Sequence, residues 1–429
     1  MINIHVASIN RSGASLMTRL FDGHPDIASY PVAFNYPWNL NIYPFIDRLT
    51  GSPSYIPDFD PTETLDILEF LGVPKEKPEK IIKWGKEKAN PIGISENYLE
   101  RELYNTVKTD FDYDRFIRLL LEFGETAKSI QEVYDARHKA FFNAWENGKY
   151  AGSMKYVATY GSGQLFMSNI EKYFKEFPSS FILCPIRNVT GHIASEKTRY
   201  ARMYFGARRF AYPRLPNVFV KAFSHYDLEV LIRSWLVTIT RIVLLQERLG
   251  IGKGFVVYRY ENLVNNTEDV MKSICEKIEL SYHQSLLTTT IAGQVWGGSS
   301  HQGRQTGVNK DLVNYYPKVL RDDELARIEE ACGPILEFLN SCKTTPIDLM
   351  SIPKNILYDY SFQKRYFDDE EKLALYSALA FSGRRKVSVG PPDVLAIIAL
   401  VFAKLVRIVH IPRMLKLKLF PGLGKQNYR

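Results

Sequence analysis

The residues best suited to chemistry stand near the amino end: Asn10, Arg11, Ser12, Gly13, Ala14, Ser15 and Leu16. Ser12 and Ser15 offer hydroxyl donors. Arg11 brings a fixed positive charge that can bridge two oxygens, and Gly13 lets backbone come close to an anion. The stretch lies between an apolar run, Ile2 to Ile9, and a helical pattern over 15–22. A strand, a short loop and a helix start bring unpaired N–H groups and a positive dipole end to one place, the general device for holding phosphate. A tight turn without a ligand uses the same residue types, so this segment alone leaves both readings open. It lacks the Gly-x-x-x-x-Gly-Lys-Ser/Thr spacing of nucleoside triphosphatases, which argues against a P-loop kinase.

The elements that would position such a site follow from the apolar pattern. Residues 2–9 read as a short buried strand, and a Pro- and aromatic-rich stretch from Tyr30 to Pro61 reads as loops. Residues 62–150 are charged and mostly helical in pattern. A second α/β stretch begins near Tyr150. It predicts a helix over 163–176, a strand over Phe181 to Ile186, a helix over 193–204, a long amphipathic helix over Leu228 to Leu249, a strand over 254–260 and a helix over 268–278. Strands alternating with helices predict an α/β fold, a parallel sheet wound with helices.

Composition narrows the field. The chain has 429 residues and a formal charge of +8. From Arg384 onward there are ten Lys/Arg against one Asp, so that tail carries +9 and the preceding 383 residues about −1. The basicity belongs to the tail and is no argument for nucleic acid. Cys184, Cys275, Cys332 and Cys342 form no CxxC pair and have no His cluster beside them, so no metal site is expected. Ile2 to Ile9 reads directly as a strand and not as a signal peptide, which gives the expectation of a cytoplasmic protein. In the tail, the apolar run Val394 to Ala403 is too short to span a bilayer. With Lys404, Arg407, Arg413, Lys416 and Lys418 beyond it, it has the pattern of a helix lying on a membrane surface. A terminal helix packed on the body fits the same pattern.

Four stretches resemble the sulfotransferases that use 3′-phosphoadenosine-5′-phosphosulfate (PAPS). Ile9 to Ile27, INRSGASLMTRLFDGHPDI, is similar to that family's 5′-phosphosulfate loop with its trailing His-Pro. Phe177 to Tyr200, FPSSFILCPIRNVTGHIASEKTRY, is similar to its 3′-phosphate unit, in which a strand ends in Arg and a Ser follows eight residues later. Val256 to Asn266, VVYRYENLVNN, resembles the turn beside the adenine, and Trp296 to Val308, WGGSSHQGRQTGV, resembles more weakly a Gly/Ser loop that closes over the nucleotide. The resemblance covers residues 1–30 and about 150–340.

The resemblance implies a P-loop-like sulfotransferase fold and PAPS as co-substrate, with adenosine 3′,5′-bisphosphate as product. It places Asn10 to Leu16 on the 5′ side, Arg187 and Ser195 on the 3′-phosphate, and Tyr260, Ser299 and Ser300 around the nucleotide. Arg11 and Lys155 take the catalytic roles, Lys155 by likeness to a lysine that touches the sulfuryl or bridging oxygen. The acceptor, a hydroxyl or amine on a carbohydrate, lipid or small molecule, is not identified. The general base is unassigned: the stretch after His24 and Pro25 has no Glu, and no His follows Lys155 closely. His301 and the acidic residues of the 55–150 stretch stay open for it. The missing base supports a second reading, a catalytically silent nucleotide-binding scaffold with the same fold. The expected organisation is a nucleotide-binding core in 1–30 and 150–345, a helical, aromatic-rich acceptor insertion in 31–149, and a C-terminal extension in 346–429 with the basic amphipathic helix.

Overall fold

The computed structural model describes residues 1–9, 11–30, 115, 118–119, 122–123, 129–144, 154–162, 173–175, 177–205, 227–251, 254–291, 293–295 and 307–366. Asn10, Trp296, Ser299, Ser300 and His301, most of the 31–149 insertion and the basic tail lie outside the described residues.

The chain runs β1 (Ile2–Ser8), α1 (Ala14–Phe21), β2 (Ile27–Ser29), α2 (Ile130–Asn143), β3 (Tyr156–Ser162), β4 (Phe181–Ile186), α3 (Val189–Phe205), α4 (Leu228–Leu249), β5 (Phe255–Arg259), α5 (Tyr260–Asn265) and α6 (Thr267–Lys277). A two-stranded hairpin, β6 (Thr290–Ile291) and β7 (Gln294–Val295), precedes α7 (Asp322–Ser341) and α8 (Tyr360–Tyr366). The first five strands form one sheet in the order β2-β3-β1-β4-β5, and every pairing in it is parallel. The fold is therefore α/β, as expected.

Alternate strand residues face opposite layers. Ile4, Val6, Leu183, Val256 and Tyr258 pack with α1 and α6. Ala7, Val157, Ile182, Cys184, Phe255 and Val257 pack on the other side with α2, α3, α4 and α7. Both faces are covered, which is why the strands read as nearly continuous apolar runs. The chain leaves β1 through α1 toward β2, and it leaves β4 through α3 and α4 toward β5. The order thus reverses between β1 and β4, where a crevice opens beyond the carboxyl ends of a wound sheet. Pro185 has no N–H to give, and the β1–β4 register ends at Val6↔Leu183, two residues before it.

Two boundaries differ from the sequence expectation. Tyr134, Phe141 and Phe142 of α2 are buried in the core, so the end of the 31–149 stretch is scaffold. Ile347, Leu349 and Ile352 are also buried. Ile347 N donates to Val257 O of β5 at 2.9 Å. Gln246 of α4 clasps the same segment, donating to Ile347 O at 2.7 Å and accepting from Leu349 N at 2.8 Å. Residues 346–357 thus cover the open edge of β5 and belong to the core, because an uncovered edge would leave unpaired backbone groups. Among the described residues no helix is long and apolar enough to cross a membrane.

Candidate anion site at the carboxyl edge of the sheet

The β1–α1 turn has an unusual backbone. Arg11 has φ 68° and Gly13, the residue before α1, has φ 97°. Two left-handed residues around Ser12 turn the chain sharply into the helix. Met17 N is the first to bond back, to Gly13 O at 3.2 Å. The N–H groups of the first turn, Gly13 to Leu16, therefore have no partner within the helix. The hydroxyl of Ser12 is fully buried and has no hydrogen-bond partner among the described residues.

Gly13 is required by contact as well as by dihedral angle. A Cβ there would lie 2.8 Å from Cε2 of Tyr260, and nearer still to Cδ2. The Tyr260 ring also carries Arg187, whose Cζ sits 4.6 Å from the ring centroid. Tyr260 is buried against both. Tyr260 packs against both turns. Burial raises the pKa of its phenol, against the lowering effect of the Arg187 charge, so it stays neutral near pH 7.

Arg187 follows β4 and folds back over Gly191 in the first turn of α3, where a Cβ would meet its Nε at 2.8 Å. Its Nη1 donates to Arg11 O at 3.0 Å and its Nη2 to Leu312 O at 3.2 Å. Its backbone O accepts from Trp235 Nε1 of α4 at 2.9 Å. Arg187 Nε is buried and has no partner among the described residues. The β5–α5 turn completes the wall. Arg259 donates to Asn188 Oδ1 at 3.2 Å, and Glu261 accepts from Asn188 N at 2.9 Å.

The structure therefore brings Arg11, Ser12, Gly13, Ala14, Ser15, Leu16, Arg187 and Tyr260 to one edge. Ser195 lies on α3, half-buried, one residue before Glu196, whose carboxylate approaches Arg11 Nε at 4.0 Å. Lys155 does not join them. It precedes β3, and its carbonyl accepts from Ile2 N at 3.0 Å. Ile2 opposes Tyr156 while Ser8 opposes Ser162, so Lys155 sits at the amino edge, roughly 23 Å from the site at about 3.3 Å per residue. β3 begins just after it, at Tyr156, so the catalytic place that the resemblance implies for Lys155 is not at this edge. His24, after α1, donates from Nε2 to Ser281 O at 2.9 Å and accepts from Asp26 N at 3.1 Å. Those bonds assign it to structure. Glu196, Asn188 and Arg259 were missed by the sequence reading; only adjacency to Arg187, Ser195 and Tyr260 signalled them.

No protein family matches the chain, and no curated protein sequence does. In fold it is similar to solved sulfotransferases. The sulfotransferase domain from the curacin biosynthetic pathway is 15% identical, with 78% of this chain and 98% of that one covered at a TM-score of 0.38. The sulfotransferase domain from the Synechococcus PCC 7002 olefin synthase is 16% identical, with 77% and 93% covered at 0.38. A sulfotransferase from Alicyclobacillus acidocaldarius is 13% identical, with 77% and 95% covered at 0.33.

Proposed function

We propose that the chain is a sulfotransferase that binds PAPS across the β1–α1 and β4–α3 turns and serves a hydroxyl or amine acceptor. The observation that carries the reading is the meeting of two cationic turns at one strand edge, Arg187 Nη1 on Arg11 O, beside a buried and unbonded Ser12 hydroxyl. A nucleotide with phosphates at two separate positions needs two such clamps. The residues fit it: a helix start with unbonded N–H groups, two fixed cations and a buried hydroxyl donor can all meet oxyanions.

Bound PAPS would supply an activated sulfuryl group, whose S–O bond to the 5′-phosphate breaks as the acceptor oxygen or nitrogen bonds to sulfur; adenosine 3′,5′-bisphosphate leaves and the acceptor proton passes to solvent. Arg11, Ser12 and the N–H groups of Gly13 to Leu16 orient the 5′ side and meet the charge that spreads over its oxygens. Arg187, with Ser195 on the following helix, holds the 3′-phosphate. Tyr260 packs against both clamps. No step is assigned to Lys155.

That displacement of Lys155 favours a second reading, a scaffold that binds the nucleotide without transfer. Labelled PAPS incubated with the protein and a panel of sugar, lipid and phenolic acceptors separates the two, because only the enzyme moves label. Both readings stand on nucleotide binding. Titration calorimetry with adenosine 3′,5′-bisphosphate should show binding, and Arg187→Ala should weaken it by about 1.5–3 kcal/mol, the usual loss for a hydrogen bond to a charged group. Unchanged affinity in the variant refutes the assignment of the 3′ clamp. Contact of the basic tail with an anionic membrane is part of the proposal and rests on the charge pattern of that tail alone.

A further inference from the structure

Glu196 lies two turns into α3, with its side chain 3% exposed and its Oε1 4.0 Å from Arg11 Nε. A carboxylate taken from water needs a countercharge. Arg11 supplies one from the loop that the proposed function assigns to the 5′-phosphosulfate. The same β4–α3 unit holds Arg11 a second time, through Arg187 on its carbonyl. The next residue, Lys197, is pinned by a buried ion pair of 2.6 Å to Glu324 in the first turn of α7, so this part of the helix has a fixed place. The closest approach to Arg11 is through Nε, and not through the Nη1–Nη2 edge that grips two oxygens of one anion.

We propose that Glu196 is a positioning residue: it holds the Arg11 guanidinium over the start of α1 so that its outer edge meets the transferring group. The inference rests on the sulfotransferase reading for its consequence, while the pairing itself is testable without ligand. In the full-length protein, the Arg11 Nε–H resonance is assigned by its loss in Arg11→Lys, and its hydrogen exchange is measured by NMR. Glu196→Gln, which keeps the shape and removes the charge, should speed that exchange at least about tenfold, since the group loses an ionic partner. Glu196→Asp, shorter by one methylene, should give an intermediate rate and covers the case in which the Gln variant does not fold. An unchanged rate in the folded variants overturns the pairing.

In turnover with PAPS, Glu196→Gln should lower kcat by roughly 10- to 100-fold with KM for PAPS changed less than about threefold, the pattern of an interaction realised in the transition state. The loss should vanish in an Arg11→Ala background. Equal losses in both backgrounds would show that Glu196 acts on something other than Arg11 and overturn the proposal. A wild-type protein that transfers nothing, yet shows the faster exchange, would sink the sulfotransferase reading and leave the pairing standing.

Discussion

Replacing Gly13 by alanine tests the geometry on which the candidate site depends. The backbone there has φ 97°, and an L-residue in the left-handed region costs about 1–2 kcal/mol. The added Cβ would also stand 2.8 Å from Tyr260 Cε2, with Cδ2 closer. The ring cannot swing away freely, because it is buried and Arg187 packs on it with Cζ 4.6 Å from the centroid. Forcing an extra methyl into such packing costs about 1–3 kcal/mol. Gly13→Ala should therefore lower stability by about 2–5 kcal/mol, a large part of the 5–15 kcal/mol typical of a folded protein. Urea unfolding followed by circular dichroism reads the change. The same substitution in a Tyr260→Ala background should cost only the backbone part, about 1–2 kcal/mol. The coupling between the two sites should thus be about 1–3 kcal/mol. A cost below about 1 kcal/mol for the single variant, or an equal cost in both backgrounds, would refute the claim that Tyr260 packs against the loop.

Two further predictions concern the scaffold. His5 is fully buried, bonded through Nδ1 to Thr159 Oγ1 at 2.9 Å, and desolvation holds its pKa down to about 3, against 6.5 in the open chain. Below pH 6.5 the unfolded chain takes up a proton that the folded one refuses, so stability is intact above 6.5 and is lost as pH falls toward 3. The loss runs at about 1.4 kcal/mol per pH unit, about 2 kcal/mol at pH 5; His5→Gln should remove that part of the slope in urea melts from pH 7 to 4, and an unaltered slope would contradict the neutral, buried state. A chain ending at residue 345 should fail to fold, because burying Ile347, Leu349, Ile352 and Leu357 contributes about 1.5–3 kcal/mol each. A chain ending at 366 should melt cooperatively, and a 345-residue chain that did the same would show that β5 needs no cover.

The local chemistry of this protein is legible in the sequence. The run of apolar residues in Phe181 to Ile186 and the amphipathic period of Leu228 to Leu249 set β4 and α4 with the expected bounds, because such burial patterns repeat within a few residues. The Arg11–Gly13 loop was legible for the same reason: a strand, a glycine and a helix start are neighbours in the chain. β2, three residues long, is too short to show any period. What tertiary structure alone decided is which strand ends share an edge. A side chain just before a strand and one just after it differ by a few positions in sequence and by the whole width of the sheet in space. That is how Lys155 leaves the site while Glu196, on the far side of β4, enters it. The Tyr260 ring against Gly13 and Arg187, and Ile347 on the edge of β5, arise from contacts across 247, 73 and 90 residues. Such contacts are set by the order in which strands pair and by the burial they complete, and no local pattern of residue types encodes them.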